Sequence, residues 1–132
     1  MRLIKLRVWD KTQKLMLYYD KDVVPLLTLN GVLVDAGMTG HSTNVSYRFD
    51  LMQFTGLKDK NGKEDWIDDI VKTKIGGFIY HRRIFQAESG AFCINLPVIG
   101  ATGGEDAIML ITCEHENVGN VHENPQLLEE KK

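Results

Sequence analysis

The segment from Ile70 to Phe85, IVKTKIGGFIYHRRIF, indicates the fold class. Two runs rich in β-branched and aromatic residues, which favour extended backbone, flank the pair Gly76-Gly77. Adjacent glycines between such runs are typical of a tight β-hairpin turn, because glycine adopts positive φ without a steric penalty. The segment therefore predicts two antiparallel strands joined at Gly76-Gly77.

Short apolar runs and turn signals continue in both directions from this hairpin. No long segment repeats apolar residues at the helical period, so the chain is predicted to be mainly β, a β-rich α+β fold at most. Asn124 before Pro125 predicts one short helical turn capped by Asn124. Further strands are predicted at Ile4–Trp9, Leu15–Tyr19, Ala91–Leu96 and Ala107–Ile111. Turns are predicted at Asp10–Gln13, Asn30-Gly31, Lys60–Gly62 and Glu88–Gly90, and a loop is predicted at Ile99–Asp106.

The strand pattern predicts two regions packed as one unit. Residues 1–56 form an N-terminal β-hairpin region, which begins with the alternation of Ile4, Leu6 and Val8. Residues 57–132 form the second region, in which about five short strands from Asp69 onward suit a small, strongly bent barrel. Chain length agrees, because 132 residues form one domain or two very small ones.

Composition indicates a soluble globular protein. The chain is 43% hydrophobic and 26% charged, and no apolar run approaches the roughly 20 residues of a membrane span. The first seven residues carry charges where a secretory signal needs apolar residues, so we expect a cytoplasmic protein. Cys93 and Cys113 lie among apolar neighbours, which predicts buried thiols in a reducing compartment.

The charge is divided unevenly along the chain. Residues 1–83 hold fourteen basic and ten acidic residues, whereas residues 84–132 hold two basic and eight acidic ones. Two interpretations remain open: the halves face each other within one molecule, or copies associate into a homo-oligomer. The net charge of -2 argues against a dedicated nucleic-acid-binding protein.

Two groups of side chains resemble metal sites without matching one. The carboxylates Glu64, Asp65, Asp68 and Asp69 do not have EF-hand spacing, and an extended segment would divide them between two faces. A solvated turn is therefore predicted here, in which Asp69 accepts backbone N–H bonds at the entry of the next strand. The thiols and imidazoles of Cys93, Cys113, His115 and His122 suffice for zinc, but no CxxC knuckle brings them together.

The glycine-rich loop from Gly100 to Asp106 lacks the lysine of a phosphate cradle and ends in two carboxylates that would repel phosphate. Nothing in the sequence brings an orienting third group beside a histidine and Cys93 or Cys113, so neither cysteine is predicted to be an activated nucleophile. The sequence therefore predicts no catalytic residue, no metal and no cofactor.

One compact basic cluster remains as a candidate contact surface. His81, Arg82 and Arg83 follow Tyr80 on a predicted strand, where they form either a solvated edge or a contact for phosphate or an acidic protein. The residues proposed for an interaction surface are Arg7, Trp9, Tyr80, Arg82 and Arg83. The alternative is nucleic-acid binding through the basic N-terminal strand, with Arg2, Lys5 and Arg7, together with His81-Arg82-Arg83.

Three motifs in order carry a family resemblance. They are IKLRVWD at Ile4–Asp10, LMQFTGLKDKNGKE at Leu51–Glu64 and NVGNVHENPQLL at Asn117–Leu128. On these the chain resembles the YopX family of phage and prophage proteins. The resemblance implies a phage-encoded cytoplasmic protein of the bacterial host whose C-terminal part is an SH3-like small barrel, and it brings no known activity.

The chain departs from the pattern of the family it resembles at four positions. Asp65 stands where an apolar residue is usual, Ile67 where Glu is usual, and His122 where Tyr is usual. Asp68 stands where Gly is usual, so a positive-φ turn at this position would carry a conformational cost. The expected function is a non-enzymatic accessory protein that acts as an interaction module for another protein, with nucleic acid as the less favoured partner.

Overall fold

The computed structural model describes residues 5–20, 22, 26–27, 33–35, 43–97 and 105–128. Contacts between residues divide the chain at Gln53 and Phe54 into two compact units. The first unit is residues 3–53, and the second consists mainly of the chain from Phe54 onward. The packing of both regions as one unit stays a prediction.

The mainly β fold predicted from the sequence is confirmed. Helical structure in the described residues is limited to three single 3-10 turns at Ser46–Arg48, Leu110–Thr112 and Pro125–Leu127, and none of these could cross a membrane. The strands are β1 Leu6–Asp10, β2 Leu15–Tyr18, β3 Leu26–Leu27, β4 Leu33–Asp35, β5 Thr43–Asn44, β6 Phe49–Lys58, β7 Glu64–Trp66, β8 Asp69–Ile75, β9 Phe78–Arg83, β10 Phe85–Gln86, β11 Phe92–Pro97, β12 Glu105–Met109 and β13 Glu116–Asn120.

In the first unit, β1 lies between β2 and the first half of β6, antiparallel to both. The predicted N-terminal hairpin is confirmed, and Asp10 organises its turn by accepting bonds from the backbone N–H groups of Thr12 and Gln13. Arg48 donates to both carboxylate oxygens of Asp10, and this hydrogen bond holds the pKa of Asp10 below its usual range. β3, β4 and β5 form a separate sheet, and the predicted Asn30-Gly31 turn lies outside the described residues.

In the second unit, the predicted hairpin is formed by β8 and β9. Ile75 pairs with Phe78, and Gly76 and Gly77 have φ of 59° and 87°, which is the backbone of a two-residue type I′ turn. The other edge of β8 pairs with β13, so the sheet order is β13-β8-β9. A second sheet has the order β10-β11-β12, and Ile84 joins it to β9.

The core of the second unit contains side chains from both sheets. Ile84, Ile94 and Leu110 are fully buried, and Ile75 and Ile108 pack against them with part of their surface exposed. Burial of such side chains is the main favourable term in folding, at about 1.5–3 kcal/mol each. Two short sheets sharing one apolar core agree with a strongly bent small barrel, and its SH3-like type stays a prediction.

The end of the chain differs from prediction in three places. β12 already begins at Glu105, inside the predicted loop, and ends at Met109, where a 3-10 turn replaces the predicted buried strand. In that turn successive side chains rotate by about 120°, so Leu110 is buried while Ile111 is 70% exposed. The helical turn after Asn124 is confirmed, but the Asn124 side chain accepts a bond from the N–H of Asn120 instead of capping it.

Candidate functional site

A buried polar network lies behind the turn between β6 and β8. Asp59, Asp65, Asp69, His115 and Asn117 are each at most 7% exposed. The prediction of a solvated turn is therefore wrong for Asp65 and Asp69, because β13 packs over this segment. The predicted role of Asp69 is confirmed, since its Oδ2 accepts the backbone N–H of Trp66 at 2.8 Å.

His115 and Asp65 form the centre of the network. His115 Nε2 lies 2.7 Å from Asp65 Oδ2, and its Nδ1 lies 2.8 Å from the carbonyl oxygen of Cys113. Burial alone would lower the pKa of His115. Two other effects outweigh burial and raise the pKa of His115 above its usual value. They are the hydrogen bonds to Asp65 and Cys113 and the negative charges of Asp65 and Asp59. Because both ring nitrogens face oxygen acceptors, the geometry suits an imidazolium that donates twice.

Asn117 ties the three carboxylates together. Its Nδ2 donates to Asp65 Oδ1 at 3.0 Å and to Asp69 Oδ2 at 2.7 Å, and its backbone N–H donates to Asp59 Oδ2 at 2.8 Å. Asp59 Oδ1 also accepts the N–H groups of Asn61 and Lys63. Burial raises the pKa of Asp59, but these backbone donors lower it below its usual value overall.

The network holds β13 to the turn and presents no free reactive group. His115 has no ring nitrogen left to take a proton from a substrate unless it breaks an existing hydrogen bond. Within the described ranges no group of three or more His, Cys, Asp or Glu side chains is placed to hold a metal ion. Cys93 and Cys113 are both free thiols, the first buried and the second half-buried, in part as predicted.

A groove of about 830 Å³ opens beside this network. His115 forms part of its wall, and the end of the β8–β9 hairpin forms another part. Its apolar lining comes from Ile75, Ile79, Leu96, Pro97 and Ile108, and its charged lining from Lys60, Lys72, Lys74, Asp106, Glu114 and Glu116.

Two large apolar side chains are exposed at the end of the hairpin that borders the groove. Phe78 is 68% and Ile79 is 56% exposed. Ile79 lines the groove, and Phe78 lies directly across the ladder from Ile75, another lining residue. Exposed apolar side chains next to a groove are typical of an interaction site.

The two arginines of the basic cluster predicted from the sequence are paired with carboxylates. Arg82 lies 5.0 Å above the ring of Tyr80 and donates to Glu105 at 2.7 Å, and it also donates to the carbonyl of Asn95. Arg83 lies 2.8 Å from the carboxylate of Asp68. Tyr80 and Arg82 therefore lie together on one face of β9, as period-2 alternation requires.

Arg7 and Trp9 lie on β1 in the first unit. They are only 3% and 7% exposed, so the predicted solvent face of this strand is covered. Val8, on the opposite face, is fully buried as well, so both faces of β1 are covered, whereas the alternation predicted one solvent face. The interaction surface proposed for these residues stays a prediction, with Tyr80, Arg82 and Arg83 as its accessible part. Arg2 lies outside the described residues.

The groove and the His115–Asp65 pair are not evident in the sequence. The one available signal is Asp65 itself, a carboxylate in a position usually apolar in the family that the chain resembles. Its partner is 50 residues away along the chain, and only the pairing of β13 with β8 brings the two together.

Comparison with known proteins places the chain in a family of known structure. The family described as YopX protein matches residues 5–129. No curated protein matches. The crystal structure of protein EF1440 from Enterococcus faecalis is 26% identical, with a TM-score of 0.63 over 97% of this chain and 99% of that one. The crystal structure of protein yopX from Bacillus subtilis is 22% identical and has a TM-score of 0.57 over 97% and 98% of the two chains, and it supports the fold alone. With the match extending over nearly its whole length, the chain belongs to the YopX family.

Proposed function

We propose that the chain is a non-enzymatic accessory protein of a phage or prophage, and that it binds another protein in the cytoplasm of the bacterial host. The observation that carries this proposal is the groove of about 830 Å³, with the exposed side chains of Phe78 and Ile79 beside it. Leaving two such side chains in water forgoes a favourable free energy of about 1.5–3 kcal/mol each, which binding of a partner would recover.

The rigidity of the surrounding structure supports a binding role. Ile79 belongs to β9, which is paired along its whole length with β8, so the surface is preformed. A preformed surface loses little conformational entropy when a partner binds.

The buried network supports a role without catalysis. His115 is the histidine that lines the groove, and both of its ring nitrogens already bond to oxygen atoms. A general base needs a free nitrogen within hydrogen-bond distance of the proton that it removes. The geometry suits a fixed wall of a binding groove better than an acid–base catalyst.

Nucleic-acid binding is the alternative, and the basic cluster is its motivation. Arg82 and Arg83 each bond to a carboxylate, so phosphate would have to compete with Glu105 and Asp68. Binding through phosphate contacts would weaken steeply with salt. A labelled DNA or RNA duplex that binds at low ionic strength and is released by salt would favour this alternative over the protein-binding role.

Site-specific crosslinking tests the proposed function. A photoreactive amino acid replaces Phe78 in the full chain, expressed in cells that carry the prophage, and a matched variant carries it at the exposed turn residue Glu88. We expect one protein to be crosslinked from position 78 and not from position 88. No crosslinked protein at position 78, or the same set from both positions, would contradict the proposal.

A further inference from the structure

One edge of β8 is only partly covered. β9 pairs with β8 along its whole length, from Ile70 to Ile75. On the other edge β13 begins at Glu116, which lies opposite Lys72. Thr73 is covered by the segment before β13, because its hydroxyl donates to the carbonyl oxygen of Glu114 at 2.8 Å. The last two residues of β8, Lys74 and Ile75, have no strand beside them on that edge within the part of the chain that the structure describes.

The backbone of Lys74 points toward this open edge. A two-residue turn closes on a hydrogen-bonded pair, here Ile75 and Phe78. Because bonded and non-bonded pairs alternate along an antiparallel ladder, Thr73 also bonds to β9. The N–H and C=O groups of Lys72 and Lys74 then face the opposite edge, where Lys72 meets β13.

The open edge borders the groove. Lys74 and Ile75 both line it, and Ile79 and Ile108 supply apolar surface inside it. A peptide that adds a strand to a sheet edge gains main-chain hydrogen bonds, and its alternate side chains enter the neighbouring pockets. The edge and the groove together have the form of such a site.

The charge pattern indicates which residue belongs opposite Lys74. One step along the same edge, Lys72 lies opposite Glu116, and their charged groups are 3.5 Å apart. Lys74 is exposed and has no carboxylate within 4.0 Å among the described residues. Opposite charges directly across a ladder stabilise the pairing. An Asp or Glu on an incoming strand would repeat at Lys74 the pair that Glu116 makes at Lys72.

We propose that the open edge of β8 at Lys74 and Ile75 binds an extended segment of the partner protein that has an Asp or Glu opposite Lys74 and apolar residues on either side of it. The inference rests on the proposed function and names the mode of binding. The apolar neighbours follow from strand geometry, because side chains next to the acidic residue point to the opposite face, toward Ile75 and the groove.

Two synthetic peptides test this mode on the isotope-labelled full chain. One is a capped peptide in which valine and glutamate alternate, and its matched control has lysine in place of each glutamate. We expect saturable binding of the glutamate peptide, at least tenfold weaker binding of the lysine peptide, and at least tenfold slower hydrogen exchange of the Lys74 amide when the glutamate peptide is bound.

A charge reversal supplies the second variant. Lys74→Glu should bind the glutamate peptide at least tenfold more weakly and the lysine peptide more tightly, whereas Lys63→Glu, on an exposed lysine outside the groove, should change neither. Equal binding of both peptides, binding of neither, or binding that leaves the Lys74 amide unprotected would overturn the inference. If any of these results accompanies a specific crosslink from Phe78, the proposed function stands and only this mode of binding fails.

Discussion

His115 Nε2 lies 2.7 Å from Asp65 Oδ2, and both side chains are almost completely buried. The pair joins the segment before β13 to β7, and its His115 lines the groove. Because a buried ion pair is stable only when both partners are present, this relationship makes the fold of the second unit sensitive to pH and to single substitutions.

Protonation of His115 stabilises the folded chain. Its folded pKa is raised above its unfolded value of about 6.5, so the stabilisation is fully present below about pH 6.5 and is lost as the pH rises through the folded pKa. Urea unfolding at a series of pH values should show the free energy of unfolding falling over this range. His115→Gln should flatten the dependence, and an unchanged slope would contradict the account.

Ionisation of Asp59 stabilises the folded chain, so the contribution of this carboxylate to the free energy of unfolding rises with pH whereas that of His115 falls. The folded pKa of Asp59 is lowered, so its stabilisation is present above its unfolded pKa of about 3.9 and is lost as the pH falls through the folded value. We expect Asp59→Asn to reduce the loss of unfolding free energy at acid pH. The pH dependence that comes from His115, above about pH 6.5, should be unchanged. Acid unfolding curves identical to those of the unmodified chain would show that Asp59 has no such role.

A double-mutant cycle measures the coupling of Asp65 with His115. Asp65→Ile alone leaves a buried imidazole without its partner and should cost about 3–5 kcal/mol of unfolding free energy. His115→Leu alone leaves a buried carboxylate and should cost a similar amount. The double variant should cost much less than the sum, since two apolar side chains can pack where the ion pair was. Additive costs would contradict the coupling.

Asp68 has φ of 75°, a conformation in which a side chain is strained, and its carboxylate pairs with Arg83. Asp68→Gly should cost less than Asp68→Ala, because relief of about 1 kcal/mol of strain offsets part of the loss of the pairs with Arg83 and His122. Asp68→Ala should cost about 1–2 kcal/mol, because it loses the ion pair and keeps the strain. Thermal unfolding of the two variants would separate these effects, and a more stable alanine variant would refute the explanation.

Gly119 is packed against Asn124, and a Cβ atom at this position would collide with the Asn124 side chain. Gly119→Ala should therefore disturb the bond from the Asn120 N–H to Asn124 Oδ1 and cost about 1–3 kcal/mol. Asn124→Ala in the same chain should recover part of that loss. Calorimetry on the single and double variants tests this, and no recovery would mean that the cost comes from the backbone.

Local signals in the sequence predicted the elements that depend on neighbouring residues. The Gly76-Gly77 hairpin, the turn at Lys60–Gly62 and the entry bond of Asp69 all follow from short-range turn chemistry. Asp68 does adopt a positive φ of 75°, the conformation that the glycine usual at its position could serve.

Features that depend on distant segments could not be predicted in this way. β13, with the sequence ENVGN, has no apolar alternation, and it is a strand because β8 offers it an edge. The burial of Arg7 likewise depends on what covers β1, and the partner of Asp65 is 50 residues away. Tertiary context decides such positions.

A nuclear Overhauser measurement on the labelled chain with the bound glutamate peptide would show directly whether a partner strand pairs with β8. We expect cross-strand contacts between the Lys74 amide proton and peptide α-protons, with side-chain contacts from the peptide valines to Ile75. Contacts confined to Tyr80, Arg82 and Arg83, with none at Lys74, would contradict it and move the binding surface to the basic cluster.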